Sequence, residues 1–251
     1  LALNAMYAAA TRRSQRFVKR SVRFIALTRF AAKKLAEAGI DPQRIAVRPN
    51  FIDCAGVPPR YGTGGYALFL GRLSHEKGVQ TVLKSAALTP WIDYVIAGNG
   101  PLEADLRDSA RARSLANVRF TGYVDGEEKQ NLIAGAMFVL VPSESYENFP
   151  LVILEAFRAG KPVIGSDLGG IPYVVRDGHN GLLFEPRDHR SLAERVTALA
   201  TNPDSCAAMG RAARQAAEND YSPTRWFEST MAIFAESLET HPSEAAAAVT
   251  Q

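Results

Sequence analysis

One short segment of the sequence carries two carboxylates, Glu147 and Glu155, eight positions apart. A carboxylate accepts two hydrogen bonds at once and is a natural partner for paired sugar hydroxyls. Pro150 is suited to begin a helix, which would leave Glu147 just before the helix N-terminus and Glu155 in the second turn. Glu147 could then hold a sugar and Glu155 a ribose. Alternatively, Glu147 complements the helix dipole and Glu155 pairs with a surface cation such as Arg158.

Two cations, Arg72 and Lys77, stand five residues apart in the turn that should follow the strand Tyr66–Leu70. Such cations can converge on one diphosphate, the arginine as a planar fork and the lysine as a point charge. The turn therefore predicts a phosphate clamp that neutralises a leaving nucleotide. Two solvated cations in a surface loop are the alternative for this turn taken alone.

A second turn, Gly98-Asn99-Gly100-Pro101-Leu102, follows the predicted strand Ile92–Ala97. Its two glycines allow a close approach of backbone to ligand, and Pro101 suits the first position of a helix. It differs from the six-residue dinucleotide fingerprint because a third glycine is missing at the required offset. A plain strand-to-helix turn is the alternative. The choice of base would depend on the shape near this turn and near Thr121–Val124.

The elements that must position these residues alternate between strand and helix patterns. Strands are predicted at Tyr66–Leu70, Ile92–Ala97, Val118–Thr121, Met137–Val141, Pro162–Ser166 and Gly181–Phe184. Helices are predicted near Gly78–Ala87, Pro101–Ser114, Glu127–Ala134, Pro150–Ala159 and Arg190–Ala200. Continuously apolar strands indicate burial on both faces, as in a parallel sheet. We therefore expect an α/β fold with a doubly wound, Rossmann-like parallel sheet, in which ligands bind beyond the carboxyl ends of the strands.

The composition is that of an ordinary globular protein, with 251 residues, 47% hydrophobic residues and a formal charge of +3. This mild charge gives no indication of nucleic-acid binding. Cys54 and Cys206 are isolated thiols, which favours a reduced, cytoplasmic protein. The apolar runs are all shorter than the roughly 18 residues that a membrane span needs.

Four parts are predicted along the chain: residues 1–60 as the end of a truncated N-terminal domain and its linker, 61–205 as the ligand-binding domain, 206–240 as C-terminal helices and 241–251 as a flexible tail. The chain begins with Leu1, and we expect it to be a piece of a longer protein. Residues 12–23 carry six cations with interleaved apolar residues. This segment predicts peripheral contact with an anionic membrane face, with a solvated helix face as the alternative.

The ordered set of motifs resembles the retaining nucleotide-sugar glycosyltransferases of GT-B architecture, often called group 1, and covers residues 66–200 almost without gaps. The resemblance rests on Gly71-Arg72-Leu73…Lys77-Gly78, Gly98-Asn99-Gly100-Pro101, Pro142-Ser143…Glu147…Glu155-Ala156, Gly160-Lys161-Pro162-Val163-Ile164 and Gly169-Gly170-Ile171-Pro172…Val175…Asp177-Gly178…Asn180-Gly181-Leu182. The sequence departs from the family pattern where Asn148 and Pro150 replace glycines and where Tyr173 replaces a glutamate. The family's acceptor site would lie on an N-terminal domain that is mostly absent from this sequence.

The resemblance implies a catalytic set of Arg72, Lys77 and Glu147, with the two cations stabilising the leaving diphosphate. The implied donor-binding residues are Gly98, Asn99, Gly100, Pro101, Leu102, Tyr123, Val124, Asn148, Phe149, Pro150, Leu151 and Glu155. No cofactor or metal is expected, since the sequence has no Asp-x-Asp triplet and protein cations must neutralise the charge. The implied partners are a nucleotide sugar and a glycan or lipid-linked acceptor, with no nucleic acid.

Two other functions remain open at the level of sequence. One is a nucleotide-sugar epimerase of the same architecture, whose further acid–base carboxylates would lie partly on the missing half. The other is a non-catalytic module that binds a nucleotide without turning it over. In the glycosyltransferase interpretation this chain supplies the donor-binding half, and we expect it to be inactive alone.

Overall fold

The computed structural model describes residues 23–62 and 64–240. Most of the basic segment predicted to contact a membrane, residues 12–22, and the predicted tail 241–251 lie outside the described residues. The chain divides into two compact units, a smaller one containing residues 23–49 and 226–240 and a larger one spanning Asn50–Arg225. All of the sequence motifs belong to the larger unit.

The smaller unit begins with strand β1 (Phe24–Ala26), helix α1 (Arg29–Glu37) and strand β2 (Ile45–Val47), and the two strands pair in parallel. The hydroxyl of Thr28 caps α1 by accepting a hydrogen bond from the Ala31 N–H at 3.1 Å. Gly39, with a φ of +92°, follows the helix, as is common where a chain leaves a helix in the left-handed region.

The larger unit alternates strands and helices in the predicted order. Its strands are β3 (Tyr66–Leu70), β4 (Tyr94–Ala97), β5 (Val118–Gly122), β6 (Ala136–Val141), β7 (Val163–Ser166) and β8 (Gly181–Phe184). Its helices are α2 (Val79–Leu88), α3 (Glu103–Ala112), α4 (Gly126–Gly135), α5 (Leu151–Arg158), α6 (His189–Ala200), α7 (Pro203–Asn219) and the start of α8 (Pro223–Thr240). Short 3-10 turns occur at His75–Lys77 and Ile171–Tyr173.

Within the described residues, β3 to β8 form one six-stranded parallel sheet in the order β5-β4-β3-β6-β7-β8. The chain runs outward from β3 to β5 and then starts again at β6 on the other side of β3. The loops after β3 and β6 therefore adjoin at the carboxyl edge, where doubly wound sheets bind ligands. The predicted fold class is confirmed.

The central strands form the core because their side chains are apolar on both faces of the sheet. Ala67, Leu68 and Phe69 of β3 are all buried, as are Val139 and Leu140 of β6. Full burial of a side chain such as that of leucine contributes roughly 1.5–3 kcal/mol. This rigid centre fixes the positions of the loops at the strand ends.

The segment between Asn50 and β3 is part of the larger unit. The Ile52 N–H donates to the Tyr221 carbonyl and the Arg60 N–H to the Ala159 carbonyl, both at 2.9 Å. The guanidinium of Arg214, which is largely buried, donates to the carbonyl of Val57 at 2.8 Å. The proline and glycine content of this segment therefore marks irregular backbone that is held in place.

Among the helices in the described part of the chain, none is both long enough and apolar enough to cross a lipid bilayer.

Candidate functional site

The loop that follows β3, Gly71–Gly78, contacts both neighbouring strand-end loops. On the β4 side, the Leu73 N–H donates to the Asn99 carbonyl at 2.8 Å, and the Leu102 N–H donates to the Leu73 carbonyl at 3.0 Å. On the β6 side, the Glu144 N–H donates to the Glu76 carbonyl at 2.8 Å. One loop therefore fixes the relative positions of the three sequence motifs.

The glycines after β4 allow this loop packing. A Cβ on Gly98, whose φ is +134°, would lie 1.9 Å from the Gly71 carbonyl oxygen, and one on Gly100 would lie 2.4 Å from that of Leu73. The close approach that they permit is thus to the neighbouring loop. Pro101 was wrongly predicted to begin a helix: α3 begins at Glu103, because the bond from Leu102 to the β3 loop keeps the preceding residues in a turn.

A cleft of about 730 Å³ lies at the carboxyl ends of β3, β4 and β5. It is lined by Leu70, Gly71, Arg72, Ala97, Gly98, Asn99, Gly100, Pro101, Glu103, Tyr123 and Val124. Tyr123 is 67% exposed at its rim, whereas Val124 is only 7% exposed. Seven of the predicted site residues thus line one cleft. Leu102 is a different case, because its side chain packs in the hydrophobic core.

Lys77 and Glu147 form an ion pair between the loops after β3 and β6, in which Nζ contacts Oε1. Their side chains are 32% and 19% exposed. The same carboxylate oxygen accepts a hydrogen bond from the Ser143 hydroxyl at 2.9 Å. The Ser143 carbonyl in turn accepts one from the Ser166 hydroxyl on β7 at 2.8 Å. Glu147 is therefore held in one orientation by groups from two loops.

The glycine-rich turn after β7 supports the backbone of the same segment. The Gly170 N–H donates to the Glu147 carbonyl at 2.6 Å. A Cβ on Gly170 would lie 2.0 Å from the Asn148 carbonyl oxygen, and one on Gly169 would lie 2.9 Å from the Glu147 nitrogen. Only glycines fit here, and they bring the turn against the carboxylate-bearing loop.

Glu155 projects from α5 toward α4, where Nζ of Lys129 lies 2.7 Å from its Oε1. The sequence analysis gave a surface cation such as Arg158 as the alternative partner of Glu155. The observed partner is on another helix, 26 positions away in sequence. Glu155 and Arg158 instead both line a small cavity of about 130 Å³, together with Arg60, Gln130 and Asn131.

The remaining predicted residues set the start of α5. Pro150 is the N-cap residue and the helix begins at Leu151, one residue later than predicted. Phe149 is buried, and its ring meets that of Tyr221 edge-on with 5.8 Å between centroids. Asn148 and Leu151 are exposed. Phe149 therefore anchors the loop, whereas Asn148 before it and Leu151 beyond Pro150 reach solvent.

The two predicted cations do not share one partner in the structure. Arg72 lines the cleft on the β4 side, whereas Lys77 contacts Glu147 on the β6 side. Arg72 and Lys77 stand five positions apart on one loop, which therefore carries a cation on its β4 side and another on its β6 side. Among residues 23–62 and 64–240, no group of three His, Cys, Asp or Glu side chains is arranged to bind a metal ion.

Two residues of the site escaped prediction as functional side chains. Ser143 belongs to the Pro142-Ser143 motif, and its position two residues after a buried strand was a usable signal. Lys129 had no such signal, because its contact with Glu155 depends on how α4 packs against α5.

A family model described as glycosyl transferases group 1 matches residues 56–216. This match covers more than half of the chain, which therefore belongs to the group 1 glycosyltransferase family. The predicted resemblance is confirmed, and the six-stranded parallel sheet matches that of the Rossmann-like domain of the GT-B fold.

Individual relatives support the same assignment. Glycogen synthase from Mycobacterium tuberculosis is 38% identical over 189 residues, which cover 70% of this chain and 45% of that protein. O-antigen chain mannosyltransferase C from Escherichia coli is 30% identical over 177 residues, which cover 70% of this chain and 47% of that protein. The chain thus spans about half the length of these curated relatives. Anabaena Alr3699/HepE, solved in complex with UDP and glucose, has the same fold with a TM-score of 0.76 and 22% identity, covering 87% of this chain and 63% of that one.

Proposed function

We propose that the larger unit binds a nucleotide-diphosphate sugar and is the donor half of a retaining glycosyltransferase. The observation that carries the proposal is the loop Gly71–Gly78, which presents Arg72 to the cleft and Lys77 to Glu147. A site for a donor sugar needs cations for the diphosphate and a carboxylate for the sugar hydroxyls, and this loop brings the two together.

The nucleoside would occupy the cleft beside β4 and β5. Its base would lie against Tyr123 and the backbone of Gly98–Pro101, and its ribose hydroxyls would bind Glu155. The complex of Anabaena HepE with UDP and glucose supports a nucleoside diphosphate as the ligand class. It leaves the base of this donor to be determined by experiment.

Arg72 and Lys77 would stabilise the departing diphosphate. In the transfer step, the bond between the anomeric carbon and the phosphate oxygen breaks and its electron pair goes to the phosphate. The acceptor hydroxyl forms the new bond to the anomeric carbon, and its proton goes to the departing phosphate. Positive charge fixed where negative charge develops lowers the barrier, so no metal is required.

Glu147 would hold the transferred sugar through its hydroxyls, in the orientation set by Ser143 and Lys77. The acceptor would be a glycan or a lipid-linked saccharide. The names of the two curated relatives, a glycogen synthase and an O-antigen mannosyltransferase, support a saccharide acceptor.

Calorimetric titration of this chain with UDP, GDP, ADP and their common sugar conjugates tests the proposal. We expect saturable binding of one nucleotide series, unchanged in EDTA and weakened about tenfold in Arg72→Met, since a charge-assisted hydrogen bond contributes about 1.5–3 kcal/mol. Arg195→Met, on the exposed face of α6, is the matched control. Absence of binding in every series would contradict the proposal.

A further inference from the structure

Lys129 of α4 makes a direct ionic contact with the second carboxylate of the site. Its ammonium lies 2.7 Å from Oε1 of Glu155, and the two side chains are only 28% and 19% exposed. The contact joins two helices, so it results from the tertiary fold and not from proximity in sequence. No role is assigned to Lys129 by the motif pattern.

The backbone beneath Glu155 is fixed independently of this contact. Ile153, Leu154, Ala156 and Phe157 of α5 are buried, so the helix itself cannot turn. A glutamate side chain nevertheless has three rotatable bonds, and ordering such a flexible side chain costs conformational entropy. An ammonium on one carboxylate oxygen restricts these rotations while leaving the other oxygen available to accept hydrogen bonds.

We propose that Lys129 is a positioning residue that orients Glu155 toward the ribose hydroxyls of the nucleotide. This inference rests on the proposed function, because it takes a nucleotide as the ligand. Lys129 holds Oε1, and the carboxylate presents Oε2 and its remaining lone pairs to the 2′ and 3′ hydroxyls. The pair thereby determines the preference for ribonucleotides over deoxyribonucleotides.

The expected preference follows from hydrogen-bond energetics. A site built to bind a hydroxyl rejects a ligand that lacks it, because the partly buried carboxylate is then left without that partner. A carboxylate that rotates freely recovers its hydration and discriminates less. Loss of Lys129 should therefore reduce discrimination more than it reduces binding of a deoxynucleotide.

The experiment compares the nucleoside diphosphate that binds best with its 2′-deoxy analogue, by calorimetric titration of this chain. For the wild type we expect the ribonucleotide to bind at least about tenfold more tightly. In Lys129→Met the ratio of the two affinities, ribonucleotide over 2′-deoxynucleotide, should fall toward one, mainly because the ribonucleotide binds more weakly. Lys129→Arg should restore this ratio. Lys84→Met, at an exposed position of α2, is the matched control. Thermal unfolding verifies that each variant is folded, with Lys129→Gln as the substitute if the methionine variant is not.

A double-mutant cycle separates action through Glu155 from a general effect. If Lys129 acts through the carboxylate, Lys129→Met should leave the ratio unchanged in a Glu155→Gln background. A ratio in Lys129→Met equal to that of the wild type, or equal weakening of both ligands, would overturn the inference and leave the proposed function intact. A wild type that binds both ligands equally would overturn the ribose contact and with it the role of Lys129. A wild type that binds no nucleotide would overturn the proposed function itself.

Discussion

Lys77 and Glu147 are separated by 70 positions in the chain, yet the lysine ammonium contacts a carboxylate oxygen of the glutamate. The contact joins the loops after β3 and β6, the two central strands between which the order of the sheet reverses. A cation and an anion are thereby fixed side by side at the point where a doubly wound sheet binds its ligand. In the proposed complex the cation faces the diphosphate and the anion faces the sugar.

Replacing Lys77 by methionine should weaken binding of nucleoside diphosphates by about tenfold, through loss of a charge-assisted contact. The loss should be smaller for the monophosphate, because the lysine would meet the terminal phosphate. Calorimetric titration with both nucleotides measures the two effects, with Lys84→Met as the control. Equal losses for monophosphate and diphosphate would place the lysine elsewhere.

Replacing Glu147 by glutamine should change the affinity for the bare nucleoside diphosphate by less than about twofold. Binding of the sugar nucleotide should weaken by about tenfold, because a charged acceptor for the sugar hydroxyls is lost. The same titration with the diphosphate and its sugar conjugate provides the measurement. Glu144→Gln removes a carboxylate on the same loop, which accepts a hydrogen bond from Thr81 at 2.8 Å, and serves as the control. If Glu147→Gln weakened binding of the bare diphosphate and of the sugar nucleotide equally, the carboxylate would have no sugar-specific role.

Replacing Gly98 by alanine should destabilise the larger unit by about 3 kcal/mol or more, because the new methyl would overlap the Gly71 carbonyl in a left-handed backbone conformation. Gly65→Ala is the control, since its Cβ would meet no atom within 4 Å. The control should change the free energy of unfolding by less than about 0.5 kcal/mol. Chemical denaturation measures both, and similar values for the two variants would show that the loops are not packed as described.

The stability of the chain should rise between about pH 8 and pH 10 through Lys161. This lysine is fully buried, and burial lowers its pKa to about 8. An unfolded lysine titrates near pH 10.4, so in this window the unfolded chain binds more protons and the free energy of unfolding increases with pH.

The variant Lys161→Met isolates this effect. Burial raises the pKa of Cys206 to about 11, although the charge of Lys161 acts to lower it, and the thiol affects stability in the opposite direction at alkaline pH. Loss of Lys161 would raise this pKa further, so the folded thiol stays largely protonated up to about pH 9.5 in both proteins and its contribution is nearly the same in each. The wild type minus variant difference in unfolding free energy should increase by about 1–2 kcal/mol from pH 7.5 to pH 9.5. A difference that is constant with pH would mean that Lys161 keeps its ordinary pKa.

The sequence predicted the sheet well because β3 and β6 are short apolar runs followed by polar turns. A strand that is buried on both faces is an unbroken run of hydrophobic residues, so the boundaries of the strands were predicted to within two residues. Helix starts were less well predicted. The prolines at positions 101 and 150 both precede their helices, by two residues and by one, because tertiary contacts and capping determine where the first turn begins.

The partners of the two carboxylates could be predicted only in part. Lys77 and Glu147 were both identified, since each lies in a recognisable motif, but their contact depends on the packing of two loops. The contact of Glu155 with Lys129 was missed, because the alternative drawn from the sequence was a surface cation such as Arg158, which is closer in sequence. Local spacing identifies residues on one helix face, whereas a partner on another helix depends on tertiary structure.

A crystal structure of this chain with the nucleoside diphosphate that binds best would locate the donor site. We expect the diphosphate within hydrogen-bonding distance of Arg72 and Lys77, with the ribose hydroxyls on Glu155 and the base beside Tyr123. A nucleotide bound instead in the groove between α3 and β5, which is lined by Arg107, Arg111 and Phe120 among others, would contradict this expectation.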